Sequence, residues 1–281
     1  MANKIHILAY YGGKTNMQPT ILPILNNDKS TTFVSLFTGG AVLETNKKPH
    51  TIEIWNDKLH SITNFYEVFQ TPTLQKKLIQ KINSCCYSEV YHTTSKHAYN
   101  YYIKNPPKKT KDKISFAWAF WSQCCMTFSG KINGGYAFSS TRNQAMVFYK
   151  RKKNLCDFAK RIEDITIMCR DAVDVFKLFN KPDTLFYADP PYIGSDCGHY
   201  KGYTENDYIN LLECFENCKG KFILSSYPSE ILNKFIQRNS WNTIKINQPI
   251  SAGHKMTRNV HTKVEVVTTN FKTDDTISMF P

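Results

Sequence analysis

The segment Asp189-Pro190-Pro191-Tyr192 carries the groups in this sequence that are best suited to chemistry. Each proline lacks a backbone N–H and fixes its own φ, and the residue before each proline is held in an extended conformation. The segment is therefore stiff, and no neighbouring N–H satisfies its carboxylate and carbonyl oxygens. These oxygens can accept both hydrogens of an exocyclic amine while the tyrosine ring stacks on the planar group that carries it. A nucleobase taken out of a helix has these properties.

A tight turn is the alternative interpretation, because prolines followed by an aromatic residue often only close a loop. The apolar run at 184–188, just before the motif, predicts a short buried strand. The motif therefore follows the carboxyl end of a strand, where open α/β sheets bind ligands. This position favours a functional role.

The composition predicts a basic protein with a sizeable core. The chain has 281 residues, 41% of them hydrophobic, which suits one large α/β domain with or without an insertion. It has 36 Lys and Arg against 23 Asp and Glu, a net charge of +13. A polyanionic partner is the first explanation for that excess, and a merely basic surface is the alternative.

Cysteine spacing and hydropathy indicate the compartment. None of the nine cysteines forms a C-x-x-C motif, so we expect no zinc or redox site and no bound metal. There is no run of 18 apolar residues and no basic-then-apolar leader at the start of the chain. We therefore expect a soluble, cytoplasmic protein that makes no membrane contact.

Strand and helix patterns alternate in the first and last parts of the chain, with strands predicted at 32–37, 51–55, 165–168, 184–188, 221–226, 242–246 and 264–269. Thr204 and Asp207 resemble a capping box at the start of a helix. Between residues 71 and 150 the alternation stops, and the chain is helical, basic and polar. These patterns predict an α/β fold, a wound mixed sheet formed by residues 1–70 and 151–281, with an inserted, mainly helical module at 71–150.

A second motif suits a nucleoside. Phe37-Thr38-Gly39-Gly40 follows a predicted strand, and glycine there lets the backbone approach a ligand closely. Asp57 follows the next strand, where a carboxylate can accept both ribose hydroxyls. Glu53 is a competing acid, but strand alternation makes it hard to place outside the sheet. The glycines could also be only a helix entry, and the absence of G-x-G-x-x-G argues against a dinucleotide.

The order of the motifs resembles the Dam-type (D12 class) family of S-adenosylmethionine-dependent DNA adenine-N6 methyltransferases. The matching segments, which span nearly the whole chain, are Tyr10-x-Gly-Gly-Lys14, Phe37-x-Gly39, Asn56-Asp57, Asp189-Pro190-Pro191-Tyr192, Leu224-Ser225-Ser226 and the closing Glu265-Val266-Val267-Thr268-Thr269-Asn270. The resemblance implies a class I methyltransferase (Rossmann-like) fold, S-adenosyl-L-methionine as cofactor, double-stranded DNA as partner, and methylation of N6 on a flipped adenine. It leaves open a companion restriction endonuclease, as in restriction-modification systems, and the oligomeric state.

The resemblance also implies residue roles. The catalytic segment would use the Asp189 carboxylate and the Pro190 carbonyl to accept the N6 hydrogens, while Tyr192 stacks on the adenine. The positions assigned to the methyl donor are Tyr10, Lys14, Phe37, Gly39, Asp57 and Asp189. The positions assigned to DNA, in or near a predicted hairpin at 131–138, are Lys131, Asn133, Tyr136 and Arg142. For Arg142, capping a helix and pairing with phosphate remain alternatives to reading a base edge.

Several residues depart from the family pattern. Leu36 replaces the usual proline before the phenylalanine, and Ala41 replaces a glycine. Tyr136-Ala137-Phe138-Ser139 replaces Phe-Asn-Val-Pro, and Ala9 stands where members that read GATC tend to carry a basic residue. The flanking bases of the target therefore stay open. Lysines 104, 108, 109, 111 and 113 lie in a stretch with no apolar period, which predicts a solvated loop that faces phosphates.

Three other functions compete with adenine-N6 methylation of DNA: cytosine-N4 methylation, RNA adenine methylation, and DNA binding by a catalytically silent protein. The aspartate that opens the motif favours a nucleobase amine over the amide of a protein glutamine. Intact Lys14, Asp57, Asp189 and Tyr192 argue against a silent protein. His254 and His261 have no visible partner in the sequence, and we interpret them as surface or DNA-proximal residues rather than bases.

Overall fold

The computed structural model describes residues 4–192, 202–249 and 262–273. The strands are β1 (Thr32–Ser35), β2 (Ile52–Asn56), β3 (Thr166–Met168), β4 (Thr184–Ala188), β5 (Lys221–Ser226), β6 (Asn242–Pro249) and β7 (Thr262–Thr269). The helices are α1 (Gln18–Asn27), α2 (Val42–Asn46), α3 (His60–Gln70), α4 (Pro72–Asn83), α5 (Glu89–Lys104), α6 (Thr110–Met126), α7 (Gln144–Lys153), α8 (Leu155–Arg161), α9 (Ala172–Phe179), α10 (Glu205–Glu216) and α11 (Glu230–Asn239).

The strands form one sheet in the order β3-β2-β1-β4-β5-β7-β6. β1 and β5 both pair with β4 in parallel, and β2 pairs with β3 in parallel. β7 runs antiparallel to both β5 and β6. All five residues of β4 are buried, as expected of a central parallel strand covered on both faces. The predicted wound sheet of mixed polarity is confirmed.

The chain divides into two compact units. We call Met1–Thr15, Thr38–Lys47 and Ile54–Arg170 the α-rich unit, and Asn16–Phe37, Lys48–Glu53 and Asp171–Pro281 the β-rich unit. The predicted module at 71–150 lies within the α-rich unit, and its separation as a domain stays a prediction.

Aromatic packing and the helix α6 form the core of the α-rich unit. Phe65 on α3 packs against Phe120 on α6 and Phe158 on α8, with ring centroids 5.4 and 6.2 Å apart. The Trp121 indole N–H, also on α6, donates to the carbonyl of Ile7 at 2.9 Å. The predicted solvated loop at lysines 104–113 is partly wrong, because α5 includes Lys104 and α6 begins at Thr110. The lysines at 111 and 113 are therefore helical.

Caps and a buried aspartate organise the β-rich unit. The predicted capping box is confirmed: Thr204 Oγ1 accepts from the Asp207 N–H at 3.2 Å, and the Asp207 carboxylate accepts from the Thr204 N–H at 2.7 Å. Asp28, whose side chain is 1% exposed, accepts from Lys221 Nζ and from the Ser30 N–H, both at 2.8 Å. This aspartate joins the end of α1 to the start of β5.

No helix in the described residues is long and apolar enough to cross a membrane. The same part of the chain contains eight cysteines, all with free thiols, and no group of three His, Cys, Asp or Glu side chains that could hold a metal ion.

We expect Asp28→Asn to destabilise the protein at neutral pH by on the order of 1–3 kcal/mol, the range for hydrogen bonds to charged groups. Burial opposes the charged form of Asp28, but His50, Lys221 and Ser30 outweigh it and lower its pKa below the ordinary value of 3.8. The stabilisation is therefore present above about pH 4 and is lost as the pH falls through the folded pKa.

Urea unfolding of the native protein and the variant between pH 7 and pH 3 tests this expectation. The difference in unfolding free energy should shrink below about pH 4, and Glu213→Gln on the exposed face of α10 serves as the control. A difference that stays constant across the series would show that the charge of Asp28 is not the source.

Candidate active site

In the α-rich unit, the residues that follow β1 are hydrogen-bonded to residues at the end of β2. The N–H and Oγ1 of Thr38 both donate to the Asn56 carbonyl, at 2.9 and 3.0 Å. The Gly39 N–H donates to Asp57 Oδ2 at 2.9 Å. Gly39 has a φ of +51°, in the left-handed region that glycine adopts at low cost. The glycine turn and Asp57, which the sequence assigned to one ligand, are thus in direct contact.

Asp57 is 1% exposed, and both of its carboxylate oxygens accept hydrogen bonds from backbone N–H groups. Oδ2 accepts from Gly39, and Oδ1 accepts from the Leu59 N–H at 2.9 Å, at the start of α3. An ionised carboxylate oxygen has a second acceptor position, so these bonds are compatible with ribose hydroxyls as further donors. The carboxylate therefore fits a nucleoside while it fixes the loop, and its contact with a ribose stays a prediction.

Tyr66 on α3 is a site residue that the sequence did not suggest. Its hydroxyl donates to the Gly39 carbonyl, so the glycine is held from both sides. Burial, followed by the negative charges of Glu44 and Asp57, raises the pKa of Tyr66 well above its ordinary value. The hydroxyl therefore stays protonated and remains a donor. Helical spacing predicts that α3 packs in the core, but it contains no signal for this contact, which spans 27 residues.

Tyr10 also lies at the glycine turn. A Cβ added to Gly40 would come within 2.6 Å of the Tyr10 Cβ, so only glycine lets the tyrosine approach so closely. Lys14 is 7% exposed, and its Nζ donates to the Gly12 carbonyl at 3.0 Å. The α-rich unit therefore brings together Tyr10, the glycine turn and Asp57, with Lys14 on the same N-terminal segment as Tyr10.

The β-rich unit positions Phe37 and the Asp-Pro-Pro-Tyr segment. Ser35 on β1 is the partner of Tyr187 on β4, so Phe37 and Asp189 each follow the carboxyl end of one of two adjacent strands. The Phe37 ring meets the Tyr203 ring edge-on, with centroids 6.0 Å apart. Asp189 is half-buried and Pro190 is buried.

Tyr192 is held by its hydroxyl. The hydroxyl lies 3.1 Å from Ser225 Oγ on β5 and donates to Glu265 Oε2 on β7 at 3.2 Å. Its ring packs against Tyr227 with centroids 4.3 Å apart. Burial, followed by the negative charges of Asp189 and Glu265, raises the pKa of Tyr192 well above its ordinary value. The family motifs include Ser225 and Glu265, but nothing in the sequence links them to Tyr192.

The segment assigned to DNA recognition lies in the α-rich unit. The predicted hairpin at 131–138 is wrong in its extent, because pairing is limited to one antiparallel bridge between Thr127 and Tyr136. The Ala137 N–H donates to the Met126 carbonyl at 2.8 Å next to this bridge. A 3-10 turn at Phe128–Gly130 interrupts the pairing, so no regular ladder forms.

The four positions assigned to DNA differ in their surroundings. Tyr136 packs against Tyr87 and His92, with ring centroids 5.1 and 5.8 Å away, so its ring at least anchors the loop. Lys131 Nζ lies 5.8 Å from the centre of the Tyr11 ring. Asn133 is exposed, with a φ of +64°.

Arg142 is exposed just before α7. It does not cap this helix, because Asn143 accepts from the Met146 N–H at 2.9 Å and is the cap. Arg142 is therefore not the N-cap of α7, and its role in contacting a base edge or a phosphate stays a prediction. Phe138, which is 84% exposed, is an aromatic side chain of this loop that the sequence did not single out for DNA contact.

The D12 class N6 adenine-specific DNA methyltransferase family matches residues 10–266. The chain belongs to this family. S-adenosylmethionine is therefore its methyl donor and DNA its substrate. Family membership supports adenine-N6 methylation over cytosine-N4 methylation, RNA methylation or silent DNA binding.

A comparison with curated proteins found no match. Similar solved structures include a Streptococcus mutans protein in complex with SAH, at 7% identity and a TM-score of 0.38, covering 92% of this chain and 98% of that one. They also include a precorrin-6y C5,15-methyltransferase from Geobacter metallireducens, at 10% identity and a TM-score of 0.37, covering 92% and 88% of the two chains. A SAM-dependent O-methyltransferase from Thermotoga maritima matches at 10% identity and a TM-score of 0.35, covering 91% and 64%.

His254 and His261 lie outside the described residues, as do residues 193–201, which follow Tyr192 directly.

We expect Gly130→Ala to destabilise the protein by about 2 kcal/mol or more, as overpacking and backbone strain do. Gly130 has a φ of +70°, and a Cβ there would lie 1.7 Å from the Ala9 carbonyl oxygen. Because the displaced backbone continues into Tyr10, the affinity for S-adenosylmethionine should fall as well. Denaturant unfolding and calorimetry measure the two effects.

Gly135→Ala is the matched control in the same loop, since a Cβ there meets no atom within 4 Å. If the two variants were equally stable, the close packing of Gly130 on Ala9 would not be what holds the loop.

Proposed function

We propose that this methyltransferase flips the target adenine out of duplex DNA and holds it at the Asp-Pro-Pro-Tyr segment of the β-rich unit. The Asp189 carboxylate and the Pro190 carbonyl accept the two N6 hydrogens, while Tyr192 stacks on the base. Flipping costs a few kcal/mol, which stacking and these hydrogen bonds offset. The observation that carries the proposal is the fixed Tyr192 ring beside a half-buried Asp189, whose charge helps to raise the pKa of the tyrosine.

The work of the protein in this mechanism is placement and desolvation. Bound S-adenosylmethionine supplies an electrophilic methyl group. When Asp189 and Pro190 accept the N6 hydrogens, the nitrogen lone pair is oriented towards that methyl carbon. The new N–C bond would form as the methyl–sulfur bond breaks, with its electron pair left on the sulfur of S-adenosylhomocysteine. N6 would then carry a positive charge and lose one proton, for which the hydrogen-bonded Asp189 carboxylate is the nearest proposed acceptor. No serine or cysteine nucleophile is required.

We propose that the donor is held in the α-rich unit by Tyr10, Lys14, Gly39 and Asp57. The contacts among Tyr10, the glycine turn and Asp57 support this, because they fix backbone and a carboxylate at a strand end where nucleosides bind. Phe37 and Asp189 belong to the β-rich unit, and their contacts with the donor stay proposals from the family resemblance.

We propose that residues 71–150 form the target-recognition module and that Lys131, Asn133, Tyr136 and Arg142 contact DNA. The exposure of Asn133 and Arg142 supports this, as does the exposed Phe138 between them, which suits stacking on a base. A companion restriction endonuclease and a cytoplasmic location stay predictions from the sequence.

Asp189→Ala should lower the rate of methyl transfer by about 100-fold or more, since the carboxylate is the ionised acceptor that the motif offers to the amine. The measurement is methyl incorporation from labelled S-adenosylmethionine into unmethylated duplex DNA, with thermal unfolding to establish that the variant folds. Asp183→Ala, at the exposed residue just before β4, is the control. A folded Asp189→Ala protein with normal turnover contradicts the mechanism.

Mapping the modified bases in a library of duplex DNA identifies both the atom that is methylated and the DNA sequence that is recognised. N6-methyladenine at one short sequence is the expected result. N4-methylcytosine, or transfer to RNA alone, would contradict the proposed substrate.

Arg142→Ala should relax the choice of base at one flanking position, because the guanidinium can hold a guanine edge with two hydrogen bonds worth about 1–3 kcal/mol of discrimination. The mapped sites of the variant show this. Lys108→Ala, in the exposed linker before α6, is the comparison and should weaken binding to all sequences alike while reducing the salt slope by about one. A uniform drop for Arg142→Ala would assign it to the phosphate backbone.

A further inference from the structure

We propose that Glu265, together with Ser225, is a positioning residue for methyl transfer and acts by holding the hydroxyl of Tyr192. This inference rests on the proposed stacking of Tyr192 on the target base. It adds two residues from a different part of the chain, 33 and 73 positions from the tyrosine, to which no role has been assigned.

The sheet register explains why Glu265 and Ser225 meet at one point. Ser225 on β5 is directly opposite Val267 on β7. Side chains alternate between the two faces of a strand, so Glu265, two residues before Val267, lies on the same face as Ser225 and diagonally across from it. Diagonal neighbours in a sheet lie close enough for both to reach one group above that face. The group that they reach is the Tyr192 hydroxyl.

The direction of the hydrogen bonds follows from the chemistry of the three groups. Tyr192 donates its single hydroxyl hydrogen to Glu265 Oε2 at 3.2 Å. Ser225, 3.1 Å away, must then donate to the tyrosine oxygen. The hydroxyl is thus both donor and acceptor. The side chain is held at its hydroxyl end by these bonds and at its other end by the backbone that follows Pro191. Rotation about the Cα–Cβ bond would carry the hydroxyl away and break both hydrogen bonds. Rotation about the Cβ–Cγ bond leaves the oxygen in place, and it is the packing of the ring against Tyr227 that opposes this rotation.

Burial makes these bonds costly to lose. Ser225 is fully buried and Glu265 is 7% exposed. If the tyrosine ring moved away, these two polar groups would lose a hydrogen-bond partner that water could not replace. The ring is also in contact with Tyr227, at 4.3 Å between centroids. A stacking surface with one orientation presents the amine to Asp189 in one orientation, and in-line transfer depends on that angle. The glutamate therefore affects the rate of transfer rather than the binding of the methyl donor.

The test combines Glu265→Ala and Glu265→Gln with Tyr192→Phe in a double-mutant cycle on a duplex that contains the mapped target. Glu265→Ala should lower the single-turnover rate constant about tenfold, the effect of one hydrogen bond to a charged group, and leave the KM for S-adenosylmethionine within about twofold. Glu265→Gln should recover most of the rate, because its amide oxygen still accepts. In the Tyr192→Phe background, both changes should alter the rate less than about twofold.

Glu53→Gln is the matched control: it removes a second buried carboxylate of the same unit, one that is 5% exposed and accepts from the His50 N–H at 2.8 Å. We expect it to lower the unfolding temperature without changing the rate constant. Should Glu265→Ala fail to fold, Ser225→Ala carries the same cycle, because it removes the other hydrogen bond to the Tyr192 hydroxyl. A normal rate for Glu265→Ala, or an equal loss with and without the Tyr192 hydroxyl, overturns the inference.

Tyr192→Ala separates this inference from the proposed function. If Tyr192→Ala transfers methyl groups at the native rate, the stacking role itself is wrong. If it is slow while the Glu265 variants are normal, stacking stands and only the positioning role fails. A fluorescent 2-aminopurine at the target position reports in parallel whether the base still leaves the helix.

Discussion

The carboxylate of Asp57 cannot leave its backbone partners without leaving a charge buried in the protein, and the candidate donor site depends on this constraint. Only 1% of its surface is exposed, so the carboxylate has little contact with water and instead accepts hydrogen bonds from the N–H groups of Gly39 and Leu59. Tyr66 then closes the other side of Gly39. The β-rich unit also combines a buried carboxylate with a tyrosine hydroxyl: Glu265 is buried and accepts a hydrogen bond from Tyr192. In both units a buried carboxylate and a tyrosine hydroxyl hold the segment that is proposed to contact a ligand.

Ala41 shows how tightly the glycine turn is constrained. Its φ of +52° lies in the left-handed region, where an L-residue other than glycine costs roughly 1–2 kcal/mol. The family usually has glycine at this position, and the backbone here keeps the shape that glycine favours. Hydrogen bonds on both sides hold it there: the Ala41 N–H donates to Thr38 and its carbonyl accepts from Thr45, at 2.9 and 3.0 Å. The substitution therefore stores strain in the turn without changing its course.

Local signals in the sequence predicted most of the elements. β5 has the predicted bounds, Lys221–Ser226, and the capping box at Thr204 forms, because short apolar runs and caps depend on neighbouring residues. β6 extends to Pro249, three residues beyond the prediction, since its last pairs depend on β7 rather than on its own polar sequence. The contacts of Tyr66 and Tyr192 depend on register between distant segments, and no spacing along the chain encodes them.

The protein as a whole is positively charged, whereas the surroundings of Tyr192 are negatively charged. Its net charge of +13 suits the phosphates of DNA, and the exposed lysines of the α-rich unit contribute to it. The surroundings of Tyr192 are negative, since the charges of Asp189 and Glu265 both raise its pKa. Methyl transfer to N6 creates positive charge on the adenine, and carboxylates in a desolvated site stabilise such charge more than water-exposed groups can. Because burial keeps Tyr192 neutral, its hydroxyl remains the donor to Glu265. In the proposed mechanism that stabilisation comes from Asp189, which accepts the N6 hydrogens, while Glu265 acts through the orientation of the Tyr192 ring.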